Sequence, residues 1–225
     1  MKNLLTFLLL AMITVSAFGG TVSHTVTIPR PEIAVIEGGH KVTLGQAMNS
    51  GDIGSPNLPV WGLQLALPPG EEAVSVRIRT GEAVSLGNGY NILPVQRQYP
   101  LSYEGAITPD LPNPAIYQAD ANYPGENVRN FRTDYYRGHS IASVAVNPVR
   151  YNPITGEIAY YPDMQVIITT APTERSSRAF REMFRRDRST VREIERRVDN
   201  PAELSRYGGI QPGTDNPDYD ILLIT

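Results

Sequence analysis

Short runs of alternating hydrophobic and polar residues fill residues 20–170, and Gly, Pro and Asn separate the runs. A period of two predicts β-strands with one buried face. In the first run, Val22, Val26 and Ile28 fall on the same side, and Pro29 ends the strand. The pattern is typical of antiparallel sheets that pack on a core with one face and meet water with the other.

Two hairpins are predicted from their turn residues. Glu37-Gly38-Gly39-His40 separates one pair of runs, and residues 151–156 separate runs 141–149 and 157–170. Glycine supplies the positive φ that such turns need, and proline fixes φ at its own position. Seven or more short strands at this spacing predict an antiparallel β-sandwich or jelly-roll domain over residues 20–172.

Residues 60–67 and 73–79 are predicted to form a further strand pair around Pro68-Pro69-Gly70. In the second of these runs, apolar residues alternate with serine and arginine. We therefore expect one set of side chains to face the core: Val74, Val76 and Ile78.

The composition changes after Pro172. Residues 173–206 hold ten of the eighteen arginines, mixed with seven acidic residues. Apolar residues recur there at spacings of three and four, which predicts one or two amphipathic helices: Phe180, Met183, Phe184, Val191, Ile194 and Val198. Mixed charges favour a solvated helix face over a site for an anionic partner. We interpret residues 173–206 as an arginine-rich helical tether.

The two ends of the chain indicate export and a further domain. Residues 1–19 have the positive start and the short apolar run of a secretion signal, with cleavage expected after Ala17 or Gly19. The run is too short for a stable membrane anchor. Residues 202–218 are predicted to be a linker, and residues 221–225 are continuously apolar. Such a strand is typical of a buried parallel sheet, so residues 207–225 are expected to lead into an α/β domain.

Composition excludes several kinds of chemistry. The net charge of −3 and the pI near 5.7 give no reason to expect nucleic acid or an anionic membrane as a partner. The chain has no cysteine, hence no thiol nucleophile, thiolate metal ligand or disulfide. Its three histidines lack metal-ligand spacing, and no phosphate loop or serine triad is present. We expect no cofactor, no metal and no catalytic residue in this chain.

The order of the parts and three segments resemble the start of gingipain-type cysteine peptidases. The segments are Gly-Ser-Pro-Asn-Leu-Pro at 54–59, Ile-Leu-Pro-Val-Gln at 92–96, and Ser-Val-Ala-Val-Asn-Pro-Val-Arg-Tyr-Asn at 143–152, followed by Gly156-Glu157-Ile158. The resemblance implies a propeptide that assists folding and inhibits its own downstream caspase-like catalytic domain by inserting a loop into the substrate cleft. Catalysis would belong to a His and Cys pair in that domain.

In gingipains the inserted loop carries a basic residue that mimics the substrate. The corresponding stretch here is Ala119-Asp120-Ala121-Asn122, which has no Lys or Arg. Either the cognate peptidase prefers an acidic or small residue, or the alignment is shifted and Arg129 or Arg132 fills the cleft. For removal of the propeptide, the first candidate bond is Arg206-Tyr207 and the second is Arg196-Arg197, because arginine precedes or lies near a flexible segment.

A second hypothesis remains open. A stand-alone secreted β-sandwich could bind a cell-surface glycan or protein through exposed members of its twelve tyrosines. The nucleotide sequence beyond Thr225 distinguishes the two, since only the propeptide hypothesis requires an α/β domain with a His and a Cys at strand ends.

Overall fold

The structure is a computed structural model, and it describes residues 19–208. The secretion signal predicted over residues 1–19, apart from Gly19, lies outside the described residues, as does the strand predicted at residues 221–225. The described elements follow one another along the chain as β1 (Thr21–Thr27), β2 (Glu32–Ile36), β3 (Gly39–Thr43), β4 (Met48–Asn49), β5 (Pro59–Ala66), β6 (Glu71–Thr80), β7 (Val84–Gly87), α1 (Pro114–Tyr117), β8 (Val128–Tyr136), β9 (His139–Val146), β10 (Val149–Asn152), β11 (Glu157–Tyr160), β12 (Asp163–Pro172), α2 (Glu174–Met183), α3 (Arg188–Glu195) and a 3-10 helix (Pro201–Tyr207).

The strands form four antiparallel sheets among the described residues, with the orders β1-β12-β6, β4-β5-β9-β8, β10-β11-β7 and β2-β3. Val22 of β1 and Val166 of β12 share one buried cluster with Leu65 of β5 and Val144 of β9. The first two sheets therefore pack face to face around the main core. The predicted mostly antiparallel β fold is confirmed.

Both predicted hairpin turns are present, but the longer pairings differ. β2 and β3 pair across Glu37-Gly38, where Gly38 has φ 83°, and β10 pairs with β11 across residues 153–156. The pairing expected between residues 60–67 and 73–79 is wrong, because β5 pairs with β4 and β9 whereas β6 pairs with β12. The last hairpin is also shorter than expected, since β9 and β12 belong to different sheets. When two paired strands lie far apart along the chain, the residues of one strand do not indicate which strand is its partner.

A β-bulge between β6 and β12 turns one side chain of β6 away from the predicted direction. The register between β6 and β12 shifts between Thr169 and Thr170, so that Ser75 pairs with Thr169 and Ala73 with Thr170. Val74 is left between these pairs and is 56% exposed, whereas Val76 packs against the core as predicted. An extra residue in one strand reverses the alternation beyond it.

The predicted helices cover the outside of the sheet that contains β5 and β9. Thr173 caps α2 in a capping box with Ser176, and Asp187 caps α3. Most of the apolar positions face inward, and a second buried cluster joins Ile194 and Val198 to Ala66 of β5 and Ile141 of β9. Met183 is the exception, because it is half exposed at the end of α2. None of the helices in residues 19–208 has the length and apolar content needed to cross a bilayer.

The linker predicted over residues 202–218 is wrong for residues 202–207. Residues 201–207 form the 3-10 helix, and Leu204 and Tyr207 are buried in the second cluster. The preceding Asp199 and Asn200 bind the free edge of β5: the Asp199 backbone N–H donates to Gln64 O at 2.7 Å, and the Asn200 side chain bonds both backbone groups of Ala66. Residues 199–207, called the C-terminal segment below, thus belong to the folded body.

Candidate functional site: a projecting loop, its base and the C-terminal segment

A loop formed by residues 97–110 projects from the body. Its two ends are joined, because Arg97 N–H donates to Asp110 Oδ2 at 2.8 Å and Asp110 N–H donates to Gln96 Oε1 at 2.8 Å. Every residue from 100 to 109 is exposed. Leu101 and Ile107 are 108% and 67% exposed although both are large and apolar. Exposed apolar side chains on a projecting loop are typical of a contact surface for another protein.

The base of the loop is ordered by backbone bonds on both sides. On the incoming side, Gly54 N–H donates to Val95 O at 2.9 Å. On the outgoing side, Asn113 N–H donates to Gly54 O at 2.8 Å, and Asn113 also caps α1 through its side chain. The Tyr117 hydroxyl then donates to Ile92 O at 2.8 Å, which connects the two sides directly.

The segment Val-Asn-Pro-Val-Arg-Tyr-Asn at 146–152 supports this base. Asn147 Nδ2 and an Arg150 nitrogen both donate to Glu126 O, at 3.0 and 3.1 Å. The buried Tyr151 exchanges two backbone bonds with Tyr123 and donates its hydroxyl to Tyr90 O at 3.1 Å. The polar groups of segment 146–152 therefore hold the chain on both sides of the loop.

Comparison with known proteins decides the family. The family model Propeptide_C25 matches residues 35–198, from β2 to just beyond α3. The chain belongs to this family. It is therefore a propeptide of the kind found in gingipain zymogens. A search of curated proteins gave no match.

Solved structures of gingipain pro-domains share the fold of this propeptide. One is a complex of the pro- and mature domains of RgpB from Porphyromonas gingivalis, with TM-score 0.54, 16% identity, and coverage of 68% of this chain and 80% of that chain. Another, on the zymogenic latency of gingipain K from the same organism, has TM-score 0.52, 18% identity, and coverage of 68% and 88%.

The residues expected to enter the cleft lie on two different elements of the propeptide. Ala119, Asp120, Ala121 and Asn122 follow α1, and Asp120 accepts a hydrogen bond from Asn152 Nδ2 at 2.9 Å. Arg129 and Arg132 lie on β8. Arg129 donates to Ser50 O at 3.4 Å, and Arg132 forms an ion pair with Asp134 at 2.8 Å.

Sequence reasoning missed loop 97–110. Leu101, Tyr103 and Ile107 have the composition of core residues, and prolines at 100 and 109 are equally compatible with short strands. Only the folded structure shows that nothing covers them. The nearest sequence signal was the adjacent segment 92–96, which forms one side of the base.

The candidate processing residues occupy ordered parts of the propeptide. Arg196 is the C-cap of α3 and Arg197 follows it, with Arg197 paired to Glu193 at 2.7 Å. Arg206 is exposed and pairs with Glu203 at 2.8 Å. Tyr207 is buried, and burial raises its pKa to about 12. Cleavage at Arg206-Tyr207 therefore requires the 3-10 helix to open, since a protease binds an extended chain.

Side chains that could bind a metal ion are not grouped in the described part of the chain. No cluster of three or more His, Asp or Glu side chains occurs within residues 19–208. His24 and His40 are half-buried in β1 and β3, and His139 is buried at the start of β9. The geometry of residues 19–208 thus offers a contact surface and a folded C-terminal segment.

Proposed function

We propose that this chain is the pro-region of a secreted gingipain-like cysteine endopeptidase and that it keeps a downstream caspase-like catalytic domain inactive until it is cleaved off. Loop 97–110 is the part that contacts the substrate cleft. The observation that carries this proposal is the exposure of Leu101 and Ile107 on a loop whose base is fixed on both sides. A contact residue held in place before binding loses little conformational entropy on docking.

The test is inhibition in trans. The catalytic domain that this proposal places downstream is produced separately, and hydrolysis of a peptide library is measured with and without the purified chain. Leu101→Asp and Ile107→Asp are expected to weaken inhibition by about tenfold or more, because a carboxylate buried at an apolar contact is unfavourable. Ile154→Asp is the matched control, since Ile154 is 57% exposed but lies in the turn between β10 and β11.

Each result has a distinct meaning. If the wild-type chain does not inhibit, the proposed function is refuted. If it inhibits and both loop variants inhibit equally well, the loop has no part in latency. Asp120→Asn, Arg129→Ala and Arg132→Ala are measured in the same assay as competing candidates, and a greater loss of inhibition in one of them than in the loop variants would assign the cleft contact to that residue instead.

Export through the predicted signal is part of the proposal. We expect the secreted precursor to begin at Phe18 or Gly20, after cleavage at Ala17 or Gly19, and N-terminal sequencing of the exported chain tests this. A start at Met1 on exported protein would contradict it.

A further inference from the structure

The C-terminal segment is held by a buried contact between Tyr207 and His139. The Tyr207 hydroxyl donates to Leu67 O at 2.8 Å and accepts from Ser140 N–H at 2.9 Å. It therefore joins the end of β5 to the start of β9. The phenol ring stacks on the His139 imidazole with ring centroids 4.3 Å apart, and Phe184 lies 5.0 Å from the same imidazole.

The environment of His139 disfavours a positive charge. The imidazole is 2% exposed, and burial lowers its pKa below the usual 6.5 even though Nδ1–H can donate to Arg137 O at 3.2 Å. A protonated imidazole would have to lose its hydration among aromatic rings. The charged groups on the neighbouring segments include Arg137, which pairs with Glu193 at 3.7 Å, and Arg186, whose guanidinium lies against Gly208.

Two carboxylates lie near the pair. Glu71 of β6 adds, after burial, to the raised pKa of Tyr207. Glu195 of α3 lines an open cavity of about 370 Å³ together with His139, Leu204 and Tyr207. This cavity lies against one edge of the contact, so water and protons reach it without unfolding of the sheet. Glu195 is exposed, which keeps its charge in solvent and limits the stabilisation that it can offer to an imidazolium.

We propose that the stacked His139–Tyr207 pair is a proton-sensitive lock on the C-terminal segment: protonation of His139 releases the 3-10 helix and makes the Arg206-Tyr207 bond accessible to proteolysis. The processing part rests on the proposed function, whereas the opening itself does not. The open segment gives His139 its ordinary pKa, so acid favours the open form. The closed form is fully stable above pH 6.5 and loses stability progressively as the pH falls below that value.

Hydrogen–deuterium exchange of the purified chain tests the opening without any peptidase. Exchange is followed by mass spectrometry at pH 7.5 and 5.5, with labelling times scaled to the intrinsic exchange rate. For wild type, protection of residues 202–207 is expected to fall by up to about tenfold at the lower pH. His139→Gln is expected to abolish this pH dependence, and Tyr207→Phe to reduce protection at both pH values. His24→Gln, in the separate sheet with β12, is the matched control and retains it.

The proposal is overturned if wild type shows no pH-dependent exchange in residues 202–207, or if the dependence survives in His139→Gln. If His139→Gln fails to fold and exchanges at every residue, the imidazole of wild-type His139 is titrated by NMR instead. A pKa below 6.5 that coincides with the loss of protection supports the lock, and an unshifted pKa refutes it. Because no catalytic domain is present in these measurements, a failed inhibition assay would leave their result intact.

Discussion

Replacing Asn200 with alanine should detach the C-terminal segment from the sheet. The Asn200 side chain accepts from Ala66 N–H at 2.7 Å and donates to Ala66 O at 3.0 Å. Both Ala66 and Asn200 are buried, so the variant leaves two backbone polar groups without partners. Each such group costs about 1–3 kcal/mol, and partial relaxation gives an expected loss of about 2–4 kcal/mol in the free energy of unfolding.

Asp199→Ala provides the matched control. Asp199 Oδ2 accepts from Gln64 N–H at 2.7 Å on the same strand edge, but this bond is exposed, and water can replace it. The expected loss is about 1 kcal/mol or less. Urea unfolding followed by circular dichroism measures both variants, with comparison of m-values to check that unfolding stays two-state. An Asn200→Ala loss no greater than that of Asp199→Ala would refute the reasoning, because burial would then not decide the cost.

Two further predictions concern stability. Asp187→Ala should cost about 1 kcal/mol at pH 7, because Asp187 Oδ1 accepts from Thr190 N–H at 2.9 Å at the start of α3. Bonds from Ser189 and Thr190 hold the pKa of Asp187 well below its usual value of 3.8. Urea titrations should therefore show the full difference in unfolding free energy from wild type above pH 3.8, and this difference should decline as the pH falls further. An equal loss at about pH 2 would contradict this. Gly138→Ala should cost about 1–3 kcal/mol, because Gly138 has φ 77° and its added Cβ would lie 2.4 Å from the Phe184 Cα. Urea unfolding measures this variant beside Gly81→Ala, which has open space around the site and should be nearly neutral; equal effects would remove the steric argument.

Local signals in the sequence were enough to predict many of the strands and the helices α2 and α3, but not the strand partners. Gly38 marks a turn because its positive φ is a property of that one residue, and Asp187 caps a helix through atoms three residues away. By contrast, β6 pairs with β12, and neither strand carries a side chain that identifies the other. The bulge at Val74 arises from that distant pairing, which explains why simple alternation failed there.

Loop 97–110 and the C-terminal segment were harder to predict for a related reason. Leu101 and Ile107 are apolar, so composition assigns them to a core that they never join. Residues 199–207 have the Asn, Asp and Pro of a linker, yet Asn200 uses its amide as a substitute for a neighbouring strand. In both cases the decisive quantity is burial, and burial depends on the whole fold.

The buried Arg150 connects the segment at 146–152 to the chain at residues 126–127. Its guanidinium is 7% exposed, donates to Glu126 O and to the Asn127 side chain, and lies over the Tyr161 ring. A guanidinium in this position is stable only while those acceptors remain in place, because a buried cation without acceptors is far costlier than a lost neutral bond. Movement of residues 126–127 away from Arg150 would leave the buried guanidinium without these acceptors. The charge of Arg150 therefore favours an ordered chain at residues 126–127, close to the backbone bonds between Tyr123 and Tyr151.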